Sequence, residues 1–228
     1  MALMERKPYY ETPLGKLYHG DCLEIMPELE PVDLVLTDPP YGINKSSGTV
    51  NLSRGKGEYV SSFSDDEQYY NTVVIPAIKF FITISTGCVV MASWKYFDKY
   101  PPIDSFGCFY QPAGVGLQSF GWADGQPIFY YGKNPTKKNM GKKCSYQVTE
   151  KPSSKEHPCA KPIGVWSEIL RNTSLEMQTV LDPFLGSGTT AIACERLKRK
   201  WIGIEIEEKY CEIAAKRIEQ ERKQLKLF

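Results

Sequence analysis

With 228 residues, the chain has the length of a single domain and can bury a substantial hydrophobic core. Its 28 basic and 27 acidic side chains leave a formal charge of +1, which excludes a globally basic coat for nucleic acid. The seven cysteines include no C-x-x-C pair, so we expect reduced cytosolic thiols and neither a disulfide framework nor a zinc ribbon.

Neither a membrane span nor a metal site is expected. The sequence has no run of 18 apolar residues, and Met1–Lys7 lacks the apolar core of a signal peptide. Cys144, His157 and Cys159 lie close in sequence, but their loose spacing and the lack of a fourth ligand argue against a bound metal. These features predict a soluble intracellular protein.

The first predicted elements are a strand, a helical turn and a second strand. Leu17–Asp21 is predicted to form the short first strand, and Cys22–Leu29 the helical turn, which Asp21 can cap. The apolar run Val32–Thr37 has the length and composition of a buried strand.

The tetrad Asp38-Pro39-Pro40-Tyr41 follows this second strand directly. Its two prolines rule out helix, remove two backbone N–H donors and leave carbonyl oxygens as free acceptors. The tetrad therefore suits a planar molecule that bears an NH2 group. Asp38 would accept one N–H, the Pro39 carbonyl would accept the other, and Tyr41 would stack on the ring. The alternative is a proline turn in which Asp38 satisfies local N–H groups alone.

Gly42–Phe63 is rich in Ser, Gly and Asn, lacks sustained periodicity and is predicted to be a mobile loop beside the tetrad. Its basic residues Lys45, Arg54 and Lys56 are candidate contacts to nucleic acid. A surface loop without a function is the alternative.

A helix and a strand are predicted next. Ser64–Glu67 matches a capping box with Ser64 as the cap, and Tyr69–Ile82 repeats apolar residues at helical spacing. Pro76 falls inside this pattern and is predicted to kink the helix. Cys88–Ser93 is predicted to be a buried strand.

The middle of the chain is less regular, with strands predicted near Cys108–Gln111 and Pro127–Tyr131. Gly132–Lys155 holds seven lysines and one glutamate, a local charge of +6. Lysines in such a Gly/Asn/Pro setting suit contacts to phosphates, and a solvated loop is the alternative. The candidate phosphate contacts are Lys133, Lys137, Lys138, Lys142 and Lys143.

The C-terminal third alternates strands and helices. Lys161-Pro162 leads into a helix through Ile163–Thr173, with Pro162 in its first turn. A strand, a glycine-containing loop, a helix, a strand and a long helix follow, which together predict a right-handed crossover unit of a parallel sheet. These elements are Thr179–Asp182, Phe184–Thr190, Thr190–Arg199, Trp201–Glu205 and Glu207–Lys226.

The glycine loop suggests a nucleoside site. Gly186 and Gly188 would let the backbone approach a bound nucleoside, and Glu205, 19 positions after Gly186, is placed to accept both ribose hydroxyls. The loop also fits G-x-G-x-x-A through Ala191, as in nicotinamide dehydrogenases. We expect no dehydrogenase, because no second mononucleotide-binding unit follows and the Asp-Pro-Pro-Tyr tetrad has no role in hydride transfer.

Taken together, the two motifs resemble a known family. Val180–Thr190 resembles the cofactor loop of S-adenosylmethionine-dependent amino-methyltransferases of DNA, and Asp38–Tyr41 resembles their catalytic motif. The catalytic motif comes first, an order similar to that of the beta group of this family. The resemblance extends from about Leu17 to Ile218 and is weakest in the middle.

This resemblance implies an α/β, Rossmann-like S-adenosylmethionine-dependent methyltransferase fold, circularly permuted, with a mostly parallel central sheet and helices on both faces. It implies a single domain, residues 1–228, with a small DNA-contacting or target-recognition insertion around residues 106–157. The permuted order predicts that strand Leu17–Asp21 lies beside Trp201–Glu205, and Val32–Thr37 beside Thr179–Asp182.

The resemblance also implies the roles of site residues. Asp38, Pro39, Pro40 and Tyr41 would be catalytic. Asp21 and Cys22 would lie near the cofactor's adenine, and Lys161 near its methionine end. The full set of implied cofactor-binding residues is Asp21, Cys22, Asp38, Lys161, Asp182, Phe184, Gly186, Ser187, Gly188, Thr189, Thr190 and Glu205.

The implied reaction moves a methyl group from S-adenosylmethionine to the 6-amino group of adenine in double-stranded DNA, with the base flipped out of the duplex. Asp rather than Ser at position 38 favours adenine within the beta group, and Asn there would have suggested glutamine methylation in proteins. Cytosine-N4 methylation, RNA adenine methylation and a catalytically silent DNA-binding relative stay open. A homodimer and a cognate restriction endonuclease are open as partners, in a bacterial or phage-type cytoplasm.

Overall fold

The computed structural model describes residues 6–43, 48–52, 55–59, 65–111, 116–118, 121–137, 141–148 and 161–225. In chain order, the strands are β1 (Tyr10–Glu11), β2 (Gly15–His19), β3 (Val32–Thr37), β4 (Gly48–Leu52), β5 (Gly55–Tyr59), β6 (Ser85–Met91), β7 (Ser105–Tyr110), β8 (Gly116–Gln118), β9 (Gly121–Ala123), β10 (Gly125–Gly132), β11 (Tyr146–Gln147), β12 (Thr179–Asp182) and β13 (Lys200–Glu205).

The α-helices are α1 (Cys22–Ile25), α2 (Glu67–Tyr69), α3 (Ile75–Thr83), α4 (Ile163–Thr173), α5 (Thr189–Leu197) and α6 (Glu208–Leu225). Short 3-10 turns span Met26–Glu28 and Trp94–Lys99. Within the described ranges, no helix is long and apolar enough to cross a membrane.

One nine-stranded sheet of described residues organises the molecule, in the order β1-β2-β13-β12-β3-β6-β10-β7-β11. β2, β13, β12, β3 and β6 run parallel to one another, and β10 runs antiparallel to β6 and β7. The predicted neighbours are confirmed, since β2 pairs with β13 and β3 pairs with β12. The carboxyl ends of strands from both halves of the chain therefore meet at one edge of the sheet.

Helices cover both faces of this sheet, as expected for the α/β class. Side chains alternate along a strand, so Leu34 and Leu36 of β3 join one apolar cluster and Val35 joins the other. The first cluster contains residues of α4, α5 and α6, such as Trp166, and the second contains residues of α1 and α3, such as Phe81. Both aromatic side chains are at most 1% exposed. Burying a side chain of this size contributes about 1.5–3 kcal/mol.

The helical stretch after residue 64 differs from its prediction. Ser64 lies outside the described residues, and Asp66 caps the helix by accepting the Tyr69 N–H at 2.9 Å. A π-helical turn, Tyr70–Val74, interrupts the helix just before Pro76. Because Pro76 has no N–H to donate to the carbonyl four residues back, the regular α ladder cannot run through it, and the α-helical pattern resumes as α3.

The predicted loop Gly42–Phe63 contains regular structure, which corrects that prediction. β4 and β5 pair antiparallel from Gly48↔Tyr59 to Leu52↔Gly55, apart from the main sheet. The hairpin was missed because its strands are Gly-rich and lack the apolar alternation that marks a half-buried strand.

The predicted insertion around residues 106–157 contributes three strands, β7, β10 and β11, to the central sheet. Between β7 and β10, strands β8 and β9 form a separate two-stranded hairpin. Part of this region therefore belongs to the central sheet, and both its role as an insertion and its contact with DNA stay predictions.

Candidate active site

A cleft opens where β2, β3, β12 and β13 end. Loops that leave the carboxyl ends of neighbouring parallel strands meet at the same edge, which is where such sheets bind ligands. The cleft is lined by most residues predicted from the sequence, namely Asp21, Cys22, Asp38, Pro39, Pro40, Tyr41, Lys161, Asp182, Phe184, Gly186, Ser187, Thr189, Thr190 and Glu205.

Glu205, the last residue of β13, is held with its carboxylate in this cleft. It is 8% exposed, and the N–H groups of Gly186 and Glu207 donate to its two oxygens at 2.7 and 2.9 Å. Burial raises the pKa of Glu205 to about 7, although these two N–H groups oppose the rise. A carboxylate has about four acceptor positions, so two stay available for hydroxyl donors of a ligand.

The two loop glycines serve different purposes. Gly186 has φ of +54°, and a side chain there would meet no atom within 4 Å, so its backbone borders open space. Gly188 has φ of +85°, and an added Cβ would lie 3.1 Å from the Cβ of Ala214 in α6. Gly188 therefore lets α5 and α6 pack closely and does not line the cleft, a different reason for glycine from the one predicted.

Asp182, at the end of β12, ties several elements of the site together. Its Oδ1 accepts from Thr37 Oγ1 at 2.7 Å and from the Phe184 N–H at 3.1 Å, and its Oδ2 accepts from Thr190 Oγ1 at 2.6 Å. Trp166 Nε1 donates in turn to Thr190 Oγ1 at 2.9 Å. Burial raises the pKa of Asp182 to about 6. This carboxylate positions the loops around it, with three donors already satisfied.

Replacing Asp182 with alanine should lower the free energy of unfolding by about 2–4 kcal/mol, because buried donors lose a charged acceptor. Urea denaturation followed by circular dichroism measures the change. Glu176→Ala is the control, since the Glu176 side chain is 59% exposed and pairs with Lys198 at 3.7 Å. That control should cost about 0.5 kcal/mol or less. Equal stability of Asp182→Ala and the wild type would contradict the positioning role.

The tetrad carries a compact polar network. Asp38 Oδ2 lies 2.8 Å from Lys161 Nζ, and these side chains are 20% and 17% exposed. The Tyr41 hydroxyl donates to Asp38 Oδ1. Burial, and then the neighbouring Asp38 carboxylate, hold the pKa of Tyr41 well above its ordinary value, so the phenol keeps its proton and acts as a donor.

Sequence reasoning missed three residues that hold this network. Ser93 Oγ donates to the Tyr41 carbonyl at 3.0 Å, and Asp65 Oδ1 accepts the Gly42 N–H at 2.7 Å. Gln126 Nε2 donates to the Tyr41 hydroxyl oxygen. Ser93 could have been found, because the strand predicted to end there is parallel to β3. Gln126 could not, since it lies in the irregular middle of the chain without a motif.

Two further predicted residues line the end of the cleft next to β2. Asp21 Oδ1 accepts the Leu23 N–H at 2.8 Å and so caps α1, the alternative given for it above. Cys22 is buried, and burial raises the pKa of its thiol to about 12, so the thiol stays protonated at neutral pH. On the glycine loop, Ser187 Oγ accepts from Arg217 of α6 at 2.7 Å.

Three of the described lysines predicted to contact nucleic acid lie away from this cleft. Lys133 follows β10, which runs antiparallel to β6, so its N–H donates to the Thr86 carbonyl at the opposite edge of the sheet. Lys142 and Lys143 contact the last turns of α4, at the Arg171 carbonyl (3.3 Å) and at Glu168 (3.2 Å).

The other predicted contacts include Lys137, which is exposed in the same connection between β10 and β11. Lys45, Arg54 and Lys138 lie outside the described residues, and the side chain of Lys56 is not described. Nucleic-acid contact by any of these basic residues stays a prediction.

The cleft thus holds two sites side by side. β12 and β3 pair at Val180↔Leu34 and Leu181↔Val35, so the glycine loop and the tetrad leave adjacent strand ends. The first site, with Glu205, suits a nucleoside that bears hydroxyls, and the second, with Asp38, suits a planar amine. This arrangement supports transfer of a group from a bound nucleoside to an amino nitrogen.

Comparison with known proteins agrees with this chemistry. The N6/N4 Mtase family model, described as DNA methylase, matches residues 90–216. The type II methyltransferase M.ScaI of Streptomyces caespitosus is 30% identical over 265 residues, covering 96% of this chain and 86% of the relative. M2.LlaDCHI of Lactococcus lactis subsp. cremoris is 28% identical over 254 residues, covering 95% and 94%.

Two solved structures share the fold. The complex of M1.HpyAVI with SAM has a TM-score of 0.65 at 21% identity, covering 90% of this chain and 98% of that one. The PvuII DNA methyltransferase, described as cytosine-N4-specific, has a TM-score of 0.67 at 17% identity, covering 94% and 89%.

Proposed function

The chain belongs to the N6/N4 family of DNA methylases, and from this premise we propose that it methylates the 6-amino group of adenine in duplex DNA with S-adenosylmethionine as the methyl donor. One observation carries the proposal, namely the pairing of β3 with β12, which sets the amine site beside the nucleoside site. A methyl donor and an acceptor nitrogen must lie this close for direct transfer.

The residues of the nucleoside site fit the cofactor. The two acceptor positions left on Glu205 match the two ribose hydroxyls, and Gly186 borders open space where a nucleoside can approach. Asp21 and Cys22 would border the adenine, and Lys161 the methionine end. When bound, S-adenosylmethionine supplies an electrophilic methyl group.

The tetrad would activate the acceptor. The exocyclic amine of adenine is a weak nucleophile, because its lone pair is delocalised into the ring. Asp38 and the Pro39 carbonyl would accept its two N–H groups and favour a pyramidal nitrogen with an available lone pair. Tyr41 would stack on the base, which must leave the duplex to reach the pocket.

Adenine is the first candidate base and cytosine the second. Asp38 supports adenine, because cytosine-N4 members of the resembled beta group commonly carry Ser at this position. Cytosine is kept because its 4-amino group presents the same two N–H donors, and a cytosine-N4 enzyme is among the structural neighbours. The similarity to type II methyltransferases also supports a cognate restriction endonuclease as a partner of this protein. A homodimer is a second proposal.

The test is a labelled transfer. Purified protein, methyl-labelled S-adenosylmethionine and unmethylated duplex DNA are incubated, and the DNA is digested to nucleosides for mass spectrometry. We expect the label on the adenine 6-amino group. Label on cytosine would overturn the base assignment, and label on RNA alone in a parallel reaction would overturn DNA as substrate. Measurable cofactor binding without any labelled product would favour a silent DNA-binding protein.

A further inference from the structure

Gln126 contacts both functional partners of Asp38, although no motif marks it. It is 8% exposed on β10, in register with Phe109 of β7. Its Oε1 lies 3.3 Å from Lys161 Nζ, and its Nε2 donates to the Tyr41 hydroxyl oxygen. An ammonium can only donate, so the amide oxygen must face Lys161 and the amide NH2 must face Tyr41. Both ends of the side chain are therefore used in one defined orientation.

Lys161 is fully hydrogen-bonded within this network. Its three N–H donors meet three acceptors, at 2.8 Å on Asp38 Oδ2, 3.1 Å on the Tyr41 hydroxyl oxygen and 3.3 Å on Gln126 Oε1. The Tyr41 hydroxyl donates to the other oxygen of Asp38. Both carboxylate oxygens thus carry a donor from the protein itself. By the count used for Glu205, two acceptor positions of Asp38 stay open to a target amine while these donors hold the carboxylate in place.

We propose that Gln126 is a positioning residue for base binding, which anchors Lys161 and Tyr41 so that they hold the Asp38 carboxylate with its open acceptor positions available to the target amine. This inference rests on the proposed methylation of an amino base. Without Gln126, the Lys161 ammonium would lose one acceptor and the Tyr41 hydroxyl oxygen would lose one donor, and a polar group left without its partner in a partly buried site is costly. Both side chains would then be free to turn away from Asp38, and the carboxylate would lose its fixed orientation.

Two substitutions separate this role from simple packing. Gln126→Leu keeps a similar volume and removes both hydrogen-bonding ends. Gln126→Glu keeps an acceptor for Lys161 and strengthens it with charge, so it should still anchor Lys161. We expect Gln126→Leu to weaken base binding by about tenfold and Gln126→Glu by about threefold or less. If Gln126 only fills space, Gln126→Leu should bind the base as well as the wild type does. Gln126→Glu should then bind it more weakly because of the buried charge, so the order of the two effects would be reversed.

The experiment uses the wild-type enzyme first. Sequencing of the methylated DNA maps the target site, and a duplex with 2-aminopurine next to the target adenine then reports extrusion of that adenine by a rise in fluorescence as its neighbour loses a stacking partner. The DNA concentration at half-maximal fluorescence is compared among the wild type, Gln126→Leu and Gln126→Glu at saturating S-adenosylhomocysteine. Calorimetry with the same compound checks that cofactor-site affinity is unchanged.

A double-mutant cycle with Lys161→Met completes the test. If Gln126 acts through Lys161, the tenfold effect of Gln126→Leu should shrink to about threefold or less in the Lys161→Met background, because the ammonium that Gln126 contacts is absent there. Wild-type fluorescence for Gln126→Leu, or effects that simply multiply in the double variant, would overturn the inference and leave the proposed function intact. No labelled product from the wild type would overturn both.

Discussion

Replacing Asp38 with alanine is expected to slow methyl transfer by at least about a thousandfold while leaving cofactor affinity within about threefold. Asp38 is the carboxylate that would accept an N–H of the target amine, and no other carboxylate contacts Tyr41 or Lys161 among the described residues. Its loss removes the group that orients the nitrogen. In the nucleoside site, Glu205 is held by the N–H groups of Gly186 and Glu207, and these hydrogen bonds do not involve Asp38.

Single-turnover transfer of labelled methyl to DNA measures the rate, and calorimetry with S-adenosylhomocysteine measures the affinity. Glu24→Ala is a matched control, because Glu24 is an exposed acid on α1 outside the cleft. It should transfer methyl at the wild-type rate. Turnover by Asp38→Ala equal to that of the wild type would falsify the assignment of Asp38.

Glu205→Gln should weaken cofactor binding by about ten- to a hundredfold. Both oxygens of Glu205 accept backbone N–H groups, so an amide must turn its NH2 toward one of these donors. The glycine loop then loses a tether, and the ribose hydroxyls lose a charged acceptor. Calorimetry measures the affinity. Glu208→Gln removes the same charge at an exposed position on α6 and should leave the affinity unchanged.

The affinity should also depend on pH. Burial raises the pKa of Glu205 to about 7, and the ionised form is the stronger acceptor for hydroxyls. Affinity is therefore expected to fall by about tenfold between pH 8 and pH 6 in the wild type and to stay flat in Glu205→Gln. A flat wild-type profile would contradict the role of the ionised carboxylate.

The raised pKa of Glu205 has the opposite effect on the stability of the folded protein. The pKa of Glu205 is about 7 in the folded protein against 4.5 ordinarily. Between these two values the folded state binds a proton that the unfolded state has released. This contribution therefore lowers the free energy of unfolding as the pH rises through that window. The site thus gains ligand affinity over the pH range in which it gives up some stability.

Local patterns were sufficient for the core of the site. Val32–Thr37 and Thr179–Asp182 form strands at the predicted residues. The turn residues on either side of such an apolar run mark where the strand begins and ends. The tetrad and Glu205 were predicted from their residue types, their spacing and the resemblance to a methyltransferase family. The topology adds that both lie at strand ends that meet in one cleft.

The positions of Lys133 and Gln126 both follow from the direction of one strand. Lys133 lies far from the tetrad, because β10 runs antiparallel to β6 and carries the chain away from the cleft. The same reversal brings Gln126, at the start of β10, to Tyr41. Charge concentration in the sequence could not reveal this direction, which is fixed by pairing between distant segments.

The interleaved order of the sheet has a consequence for synthesis of the protein. β2 and β3 follow each other in the chain, yet β13 and β12 lie between them in the sheet. Until residues 179–205 have been translated, the facing edges of β2 and β3 keep unpaired N–H and C=O groups. At a translation rate of about 5–20 residues per second, the facing edges of β2 and β3 stay unpaired for a time on the order of ten seconds. A nascent chain interrupted before β12 therefore lacks the glycine loop, and we expect such a fragment to have no transferase activity.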